Sequence, residues 1–382
     1  MNIYAIIFHI LAPIFTVNYR YENAEKMNMR AILINGNFLC RNLTGIERYA
    51  FQVCSEMDKL LDSNDDISIL VPSNAKIVPD YKHIRVIHSK KKIKSFPLWD
   101  LIIFAFEAKK RKALALNFSN TAPLGLNCGI AYLHDIYAHD YPKDFTTFKD
   151  KLIRAYCNIN YANIAKNASK IITVSHFSKE RISAAYNVKS EKIAVIGNGW
   201  EHFKSVKADE GIFEKFPALA EKKYYFTLGS LSRRKNLSWI MLYAKKHPYD
   251  TFAISGKAIS GLVPKELEEI KMLKNIVLLG YVTDGEVKAL MRKCKAFIFP
   301  SYYEGFGIPP LEALSEGAKV ICAKAASLPE IFGNSVHYID PYDPTCDLDE
   351  LLAEQTKNSL EVLEKYTYKN AAKSLLELLR SA

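Results

Sequence analysis

The sequence has 382 residues, 49% of them hydrophobic, and a formal net charge of +11 at pH 7. The length suits two ordinary domains, and the apolar content is enough for packed cores, which excludes a disordered chain. The cysteines are scattered without a C-x-x-C pair, which argues for a reduced cytosolic compartment and against a structural zinc site. They are Cys40, Cys54, Cys128, Cys157, Cys294, Cys322 and Cys346.

The chain begins with an apolar run at residues 3–17, which is interrupted by His9 and Pro13. The run is shorter than the roughly 20 residues that a membrane span needs. No basic residue precedes it, so a signal peptide is not expected. Residues 1–28 are therefore predicted to be a non-native or non-essential extension, with a weak membrane anchor as the alternative.

Apolar runs of strand length then alternate with longer amphipathic stretches, the pattern of a βαβ fold. The predicted strands lie at 31–36, 67–71, 85–87 and 113–118, then from 129, at 170–175 and from 192. The predicted helices lie within 42–61 and at 97–112, 145–167 and 178–186. This part of the chain predicts a parallel sheet with helices on its faces.

Between residues 90 and 112 there are eight basic residues and two acids, Asp100 and Glu107. The apolar run 97–106 separates two clusters of these basic residues. Basic flanks around an apolar helix fit an anionic membrane surface, but a core helix with solvated lysines fits equally well. Both interpretations remain open, and no nucleic-acid-binding motif is present.

Two loops of this first half contain residues that could serve a site. Thr44 and Glu47 have the spacing of a capping box, and Gly45 between them indicates either a tight turn or a close backbone approach. His134 and Asp135 follow the strand that begins at 129. Loops at that end of a strand carry the sites of doubly wound sheets.

A mixed-charge stretch, 204–222, is predicted to be a linker, after which strand and helix alternate again. The predicted strands are 224–229, 251–256, 275–282, 295–300, 319–323 and 336–340. Arg233, Arg234 and Lys235 come just before a helix predicted to start near Ser238, where side chains and helix dipole could converge on an anion. A final helix is predicted over about 358–381.

The most informative stretch is 300–317, which reads PSYYEGFGIPPLEALSEG. It combines a strand end, a glycine-containing loop and a helix start, a geometry that favours an anion such as phosphate. Glu304 lies on the loop. Glu312 is placed in the first helical turn, and Gly317 suits the helix end. Two carboxylates beside an anion site suit a phosphate ligand flanked by hydroxyl-rich groups.

This stretch resembles the nucleotide-sugar site of retaining glycosyltransferases of family 4, whose mark is a Glu-x7-Glu pattern written EGFG-(L/I)-P-x-x-E. The resemblance extends over roughly residues 30–342. It implies an α/β fold of two doubly wound Rossmann-like domains facing a cleft, called GT-B. The implied divisions are an acceptor-side domain at 29–203, a donor-binding domain at 223–357, and a helix at 358–382 that packs back on the first domain.

The resemblance also implies roles for individual residues. Glu304 and His134 are the implied catalytic residues. The implied donor-binding residues are Arg234, Lys235, Gly305, Phe306, Gly307, Glu312 and Gly45. One position departs from the pattern, because Ser230 stands where many members have an arginine. The segment 327–333 also matches, and its Pro-Glu helix start is expected near the donor site.

No metal or other cofactor is expected. Asp347 and Asp349 have the Asp-x-Asp form of metal-dependent sugar transferases, but they follow a proline and start a helix, where acids are expected anyway. The implied reaction is transfer of a sugar, with retained configuration, from a nucleotide-diphosphate donor to a saccharide acceptor. A lipid-linked acceptor at the cytoplasmic face of the membrane, in surface polysaccharide synthesis, is the expected setting.

Two alternatives stay open at this point. Nucleotide-sugar epimerases share the two-domain fold but resemble the EGFGIPPLEA run less. A non-catalytic subunit of a polysaccharide assembly complex would be marked by loss of Glu304 or of the basic pair, and both are intact.

Overall fold

The computed structural model describes residues 30–382 apart from 44, 63, 92, 94, 222, 230–231, 257–268 and 271. The predicted extension 1–28 therefore lies outside the described residues, as do Thr44 and Ser230. Among the described residues, the strands form two separate sheets of seven and six strands, and every strand pairing is parallel.

The first sheet has the strand order β3-β2-β1-β4-β5-β6-β7. Its strands are short, and the central ones are almost wholly buried, as expected for parallel strands that are covered on both faces, whereas the edge strand β3 is partly exposed. They are β1 Ile32–Asn35, β2 Ile67–Val71, β3 Arg85–His88, β4 Leu114–Asn117, β5 Ile130–Tyr132, β6 Lys170–Thr173 and β7 Ile193–Val195. The chain reverses its direction of winding between β1 and β4, where such sheets form their sites.

Helices cover both faces of this sheet. One face packs against α1, Ile46–Asp58, and the other against α2, a continuous helix over 96–110. Then follow α3 Tyr137–Asp140, α4 Phe148–Asn167 and α5 His176–Tyr186. The α4 helix starts at a capping box, in which Thr147 and Asp150 satisfy each other's backbone N–H groups.

The helix α2 shows how the apolar run 97–106 packs, and contact with a membrane stays a prediction. Its residues Trp99–Phe104 form a π-helical segment that buries Trp99, Ile103 and Phe104 against the sheet. Leu98, Ile102 and Phe106, one turn apart, remain exposed on its outer side. In the described part of the chain, no helix has both the length and the apolar character that a membrane crossing requires.

The second sheet has the order β10-β9-β8-β11-β12-β13. Its strands are β8 Tyr224–Leu228, β9 Thr251–Ser255, β10 Ile276–Gly280, β11 Ala296–Phe299, β12 Val320–Ala323 and β13 His337–Ile339. Its direction of winding reverses between β8 and β11, so the loops after these two strands adjoin. The predicted fold class, two doubly wound α/β domains that face each other, is confirmed.

The helices of the second half are numbered on from α5. They are α6 Gly211–Lys215, α7 Pro217–Glu221, α8 Leu237–Lys246, α9 Asp284–Lys293, α10 Ile308–Ser315, α11 Leu328–Phe332, α12 Leu348–Ala353, α13 Leu360–Lys365 and α14 Tyr368–Arg380. The stretch predicted as a linker contains α6 and α7. Its Ile212, Phe213 and Leu219 are buried in the core beneath the second sheet, so most of it is packed structure.

The prediction of a single final helix is wrong. The chain forms two helices there, α13 and α14, which are separated by Tyr366 and Thr367. The Thr367 hydroxyl accepts from the N–H of Asn370 and so starts a new helix. The apolar side of α14, including Leu375 and Leu379, is buried in the core of the first domain. The chain thus crosses between the domains twice.

Candidate functional site

The site is built around the loop that joins β11 to α10. Gly307 precedes the helix with φ +108°, a conformation that strains residues with a Cβ. The helix ends at Ser315, and Gly317 follows with φ +77°, as predicted. The prediction of Glu312 in the first helical turn was wrong by about one residue, because α10 already starts at Ile308 and Glu312 is its fifth residue. The Glu312 side chain is therefore too far along the helix to cap its N-terminus.

Glu304 is 7% exposed and is bound by two cations from the neighbouring loop after β8. Its Oε1 accepts from Lys235 Nζ at 2.7 Å, and its Oε2 lies 3.4 Å from Arg234 Nη1. Both cations belong to the 3-10 turn Arg233–Lys235. The Tyr302 N–H donates to the Arg234 carbonyl at 3.1 Å, which ties the two loops together. The structure thus joins three of the predicted site residues in one ion cluster.

The cluster keeps its carboxylate ionised. Burial by itself would raise the pKa of Glu304, but the charges of Arg234 and Lys235 outweigh burial and hold that pKa below its ordinary value. Arg234 also lies 3.7 Å from Asp135 Oδ2 and above the ring of Tyr137. The two half-buried cations are thus balanced by the carboxylates of Glu304 and Asp135, which hold both cations in place where they could bind an anionic ligand.

Three consecutive backbone N–H groups follow Glu304, at Gly305, Phe306 and Gly307. In the described part of the chain, none of the three has a hydrogen-bond acceptor. The loop that carries them is held by the Ser327 hydroxyl, which donates to the carbonyls of Glu304 and Phe306 at 2.9 and 3.3 Å. The Phe306 side chain is buried against Tyr366. Only its backbone is therefore offered to a ligand.

Gly305 brings the two domains into contact. A Cβ built on it would lie 2.6 Å from the backbone oxygen of His134 and 3.3 Å from Asp135 Cβ. Real Cβ atoms essentially never approach that closely, so no other residue fits without a shift of the backbone. The glycine therefore sets how near the β5 loop of the first domain comes to Glu304.

His134 is buried beneath this contact, with its ring stacked on Tyr132 and edge-on to Tyr49. Its Nε2 lies 2.9 Å from the Phe118 carbonyl. A carbonyl can only accept, so Nε2 carries the hydrogen and Nδ1 keeps a lone pair. Burial lowers the pKa of His134, and the ring is therefore neutral at pH 7.

Glu312 is as buried as Glu304 but has different neighbours. Its Oε1 lies 3.0 Å from Nε2 of His202, without the alignment of a hydrogen bond. His202 belongs to the turn Glu201–Ser205, which follows the last strand of the first domain. Neither ring nitrogen of His202 has a hydrogen-bond partner in the part of the chain described. The sequence pattern gave no sign of this contact.

Gly45 is the N-cap of α1, with φ +50°, and a Cβ there would meet nothing within 4 Å. Glycine is thus needed for the backbone conformation, and a ligand role for Gly45 stays a prediction. The predicted capping box involves Thr44, which lies outside the described residues, and the helix itself begins at Ile46. Glu47 pairs with Arg41 at 3.2 Å.

A cluster of tyrosines that sequence reasoning missed connects the domains beside Glu304. Tyr303 donates to Asp140 Oδ2 at 2.9 Å, and Arg181 binds the same carboxylate through two nitrogens. Tyr302 donates to Asp144 at 2.5 Å. Acids and aromatics alternate over 135–145, the only sequence signal that could have indicated this interface.

A second connection involves the predicted Pro-Glu helix start. Glu330 on α11 accepts from the backbone N–H groups of His176 and Phe177, at 2.7 and 2.8 Å. These N–H groups belong to the first turn of α5, so a carboxylate from one domain caps a helix of the other. Ser327, just before α11, contacts the Glu304 loop, which places this segment beside the site as expected.

Among the described residues, no group of three or more His, Cys, Asp or Glu side chains could hold a metal ion. Asp347 caps α12 by accepting from the N–H groups of Asp349 and Glu350. Asp349 pairs with Lys295 and accepts from the Tyr225 hydroxyl. The Asp-x-Asp pair is thus accounted for by structure, and metal independence of any reaction stays a prediction.

Comparison with known proteins identifies two matching family models. Residues 43–202 match the model described as Glycosyltransferase Family 4. Residues 209–373 match the model described as Glycosyl transferases group 1. The two matches adjoin at the passage between the domains and together cover most of the chain.

Among curated relatives, an O-antigen chain mannosyltransferase, RfbU of Salmonella typhimurium, is 28% identical over 235 residues. That alignment covers 61% of this chain and 62% of the relative. The O-antigen chain mannosyltransferase B of Escherichia coli is also 28% identical, over 58% of this chain and 59% of its own. The matched region is thus less than two thirds of either relative's length.

Solved structures confirm the fold. Sucrose-phosphate synthase from Thermosynechococcus elongatus superposes with a TM-score of 0.69 at 15% identity, over 92% of this chain and 98% of that one. Anabaena HepE in complex with UDP and glucose gives 0.63 at 17% identity, over 92% and 100%. WaaG, a glycosyltransferase involved in lipopolysaccharide biosynthesis, gives 0.58 at 14% identity, over 91% and 95%. The fold is GT-B.

Proposed function

Since the chain belongs to the glycosyltransferases that the family 4 and group 1 models describe, we propose that it moves a sugar from a nucleotide-diphosphate donor to a saccharide acceptor. The observation that carries this proposal is the ion cluster of Glu304, Lys235 and Arg234, beside three backbone N–H groups that lack an acceptor within the described ranges. The reaction we propose retains the anomeric configuration and needs no metal. An epimerase or a non-catalytic subunit would become the better explanation if acceptor product never forms.

The donor diphosphate would bind at the positive end of this cluster. Lys235 and Arg234 can neutralise the charge that grows on the leaving diphosphate, together with the N–H groups at the start of α10. The anomeric carbon–oxygen bond to phosphate breaks, and the acceptor oxygen bonds to the same face of that carbon. The acceptor proton passes to the leaving phosphate oxygen. No separate protein base is then required.

Glu304 and His134 would hold the transferred sugar from opposite domains. The ionised Glu304 can accept from sugar hydroxyls and stabilise positive charge that develops at the anomeric carbon. Neutral His134 has an acceptor at Nδ1, so it would accept a hydrogen bond from a sugar hydroxyl. Gly305 keeps both groups close enough to act on one ring.

The nucleoside would be anchored at Glu312, whose carboxylate can accept from both ribose hydroxyls. The curated relatives are named as O-antigen mannosyltransferases, so mannose is the first sugar to test. A surface polysaccharide pathway with a lipid-linked acceptor is the setting we propose, by analogy with those relatives.

The first experiment is a thermal-shift screen of UDP-, GDP- and dTDP-linked sugars in EDTA, with wild type and Glu312→Ala. A ligand at about 100 times its Kd stabilises a protein by about 2.7 kcal/mol, which is visible as a shift. We expect one donor to stabilise the wild type, and the variant less. The donor found is then incubated with saccharide acceptors, and the anomeric linkage of the product is read by NMR. No shift with any donor would contradict the proposal.

We further propose that the first domain contacts an anionic membrane through the outer sides of α2 and α4. Both helices lie on the same face of the first sheet, over Ala115 and Ala131 respectively. Phe106 on α2 is 63% exposed and Phe148 on α4 is 79% exposed. The other exposed apolar residues of these helices are Leu98, Ile102, Leu152, Ile153 and Ile159.

Exposed cations surround this apolar surface, in the arrangement that favours an interfacial contact with anionic lipid. They are Lys90, Lys91, Lys109, Lys110, Arg111, Lys112, Lys149 and Lys151. We expect the protein to co-sediment with phosphatidylglycerol vesicles. The bound fraction should fall when salt is added and when phosphatidylcholine replaces phosphatidylglycerol. The double variant Phe106→Ser, Phe148→Ser should lose this binding, whereas Tyr249→Ser, at a fully exposed position of the second domain, should not. Equal binding of both variants would contradict this contact.

A further inference from the structure

Two side chains from outside the Glu-x7-Glu stretch meet at Glu312. His202 comes from the turn that leaves the first domain, and its ring lies 3.0 Å from the Glu312 carboxylate. Tyr368 is the first residue of α14, and its ring is 5.7 Å from that of His202. The His202 side chain is 5% exposed and that of Glu312 is 9% exposed. This polar cluster is therefore largely shielded from bulk water.

The cluster lacks hydrogen-bond partners. Both ring nitrogens of His202 and the hydroxyl of Tyr368 are buried without one among the described residues. Buried polar groups are normally paired, and each exception calls for an explanation. At the Glu304 end, by contrast, Lys235 and Arg234 both pair with the carboxylate. The unpaired atoms belong to His202 and Tyr368, and a ligand whose hydroxyl groups bind at the Glu312 carboxylate would bring hydrogen-bonding groups into their neighbourhood.

We infer that His202 is a positioning residue that fixes Glu312 for the ribose, an inference that rests on the proposed function. An ionised carboxylate has about four acceptor directions. Two ribose hydroxyls would take two of these. A small rotation then lets the N–H of His202 Nε2 donate to a third. His202 thereby sets the carboxylate rotamer and, through it, the preference for a ribose over a 2′-deoxyribose.

The backbone around His202 is rigid enough for this role. Glu201, the preceding residue, accepts from the N–H groups of Trp200 and Tyr368, at 3.1 and 2.8 Å. The Trp200 indole donates to the Leu363 carbonyl at 3.0 Å. These bonds tie the turn to α13 and α14. His202 therefore approaches Glu312 from a fixed point between the domains.

The test measures Kd for UDP, GDP and their 2′-deoxy analogues by calorimetry. The proteins are wild type, His202→Ala, Glu312→Ala and the double variant. In wild type, a hydrogen bond to the charged carboxylate should favour the ribose form by about tenfold or more. His202→Ala should reduce that preference to a few-fold and weaken 2′-deoxy binding less than ribose binding, because the 2′-deoxy analogue keeps only its 3′ hydroxyl for Glu312. The double variant should match Glu312→Ala, because His202 acts through Glu312.

His202→Gln serves as the conservative variant, since its amide N–H can donate to the same carboxylate and should restore part of the preference. Equal weakening of the ribose and 2′-deoxy forms by His202→Ala would indicate a merely structural role and overturn the inference. Additive effects in the double variant would overturn it too. If wild type binds neither ribonucleotide nor any donor of the screen, the proposed function itself falls. Ribonucleotide binding whose ribose preference survives His202→Ala overturns only the inference.

Discussion

Glu304 and Glu312 are eight positions apart and equally buried, at 7% exposed each, yet their surroundings differ. Glu304 is bound to Lys235 and Arg234 before any ligand arrives. Glu312 has no cation within salt-bridge distance among the described residues, apart from what His202 would supply if protonated. At the diphosphate end, the carboxylate is thus paired with cations before a ligand binds. At the nucleoside end, the Glu312 carboxylate still lacks hydrogen-bond donors from the described residues. Affinity should depend on charge at one end and on hydroxyl groups at the other.

The variant Lys235→Ala should have the largest effect, because it removes a cation from the diphosphate end of the site. Loss of the charge-assisted bond should cost about 1.5–3 kcal/mol, which is about a 10- to 150-fold fall in kcat/KM. Steady-state kinetics with the donor identified by the screen would measure it. Arg233→Ala is the matched control, because Arg233 shares the turn but has no ion pair among the described residues. Equal losses in both variants would remove Lys235 from the diphosphate site.

Gly305→Ala tests whether the distance between domains matters at the Glu304 end. The added methyl group would meet the His134 backbone oxygen, which can retreat only if the domains separate. Overpacking of this kind costs about 1–3 kcal/mol, so we expect kcat/KM to fall about 5- to 150-fold while the protein stays folded by circular dichroism. In Gly211→Ala the methyl would meet only the flexible end of Asp209. Unchanged kinetics in Gly305→Ala would mean that the contact is not needed for turnover.

The free energy of unfolding should depend on pH, because His134 is buried as a neutral ring in the folded protein. Its pKa is lowered by burial in the folded state and is about 6.5 when unfolded, so the unfolded chain binds the extra proton first as pH falls. Stability is therefore complete above about pH 6.5 and declines below it, by at most about 1.4 kcal/mol per pH unit.

The free energy of unfolding, measured with urea from pH 7.5 to 5.5, should fall more steeply for wild type than for His134→Asn. The asparagine side chain has no proton to gain in this range. At pH 7.5 the two proteins should differ only by a constant packing term. Parallel pH profiles would mean that His134 is protonated equally in both states.

Tyr303→Phe should have the smallest effect. It removes one hydrogen bond to Asp140, whose carboxylate keeps Arg181, so about 0.5–1.5 kcal/mol is lost between the domains. We expect a rise in donor KM of about 2- to 12-fold with kcat nearly unchanged. Tyr249→Phe, on a fully exposed ring, is the control. A fall in kcat without a change in KM would assign Tyr303 to the chemical step instead.

The sequence predicted the second domain's share of the site well, because its residues are adjacent in the chain. Glu304, Gly305 and the free N–H groups follow from one strand, loop and helix, and Lys235 lies on the loop beside them. The helix start was missed by one residue, since Pro309 and Pro310 suit the first positions of a helix that begins at either Ile308 or Pro309. Glu312 therefore lies just past the first turn.

The contacts that the first domain contributes to the site could not be predicted in the same way. Tyr302 and Asp144 meet only because two domains close on each other, 158 positions apart in the chain. The contact of His202 with Glu312 likewise depends on how the turn after β7 is tied to α14. No periodicity encodes such contacts, since each depends on the angle between rigid bodies. The split of the final helix was missed because its polar break is short.

The carboxylate of Glu330, exposed at the domain boundary, has a consequence for the resting state. It accepts hydrogen bonds from the two N–H groups that the helix's own cap, Ser175, leaves unpaired, because the Ser175 hydroxyl accepts only from Ser178. Any separation of the domains would expose those two donors at the positive end of α5, so this contact adds an electrostatic term that favours the closed arrangement.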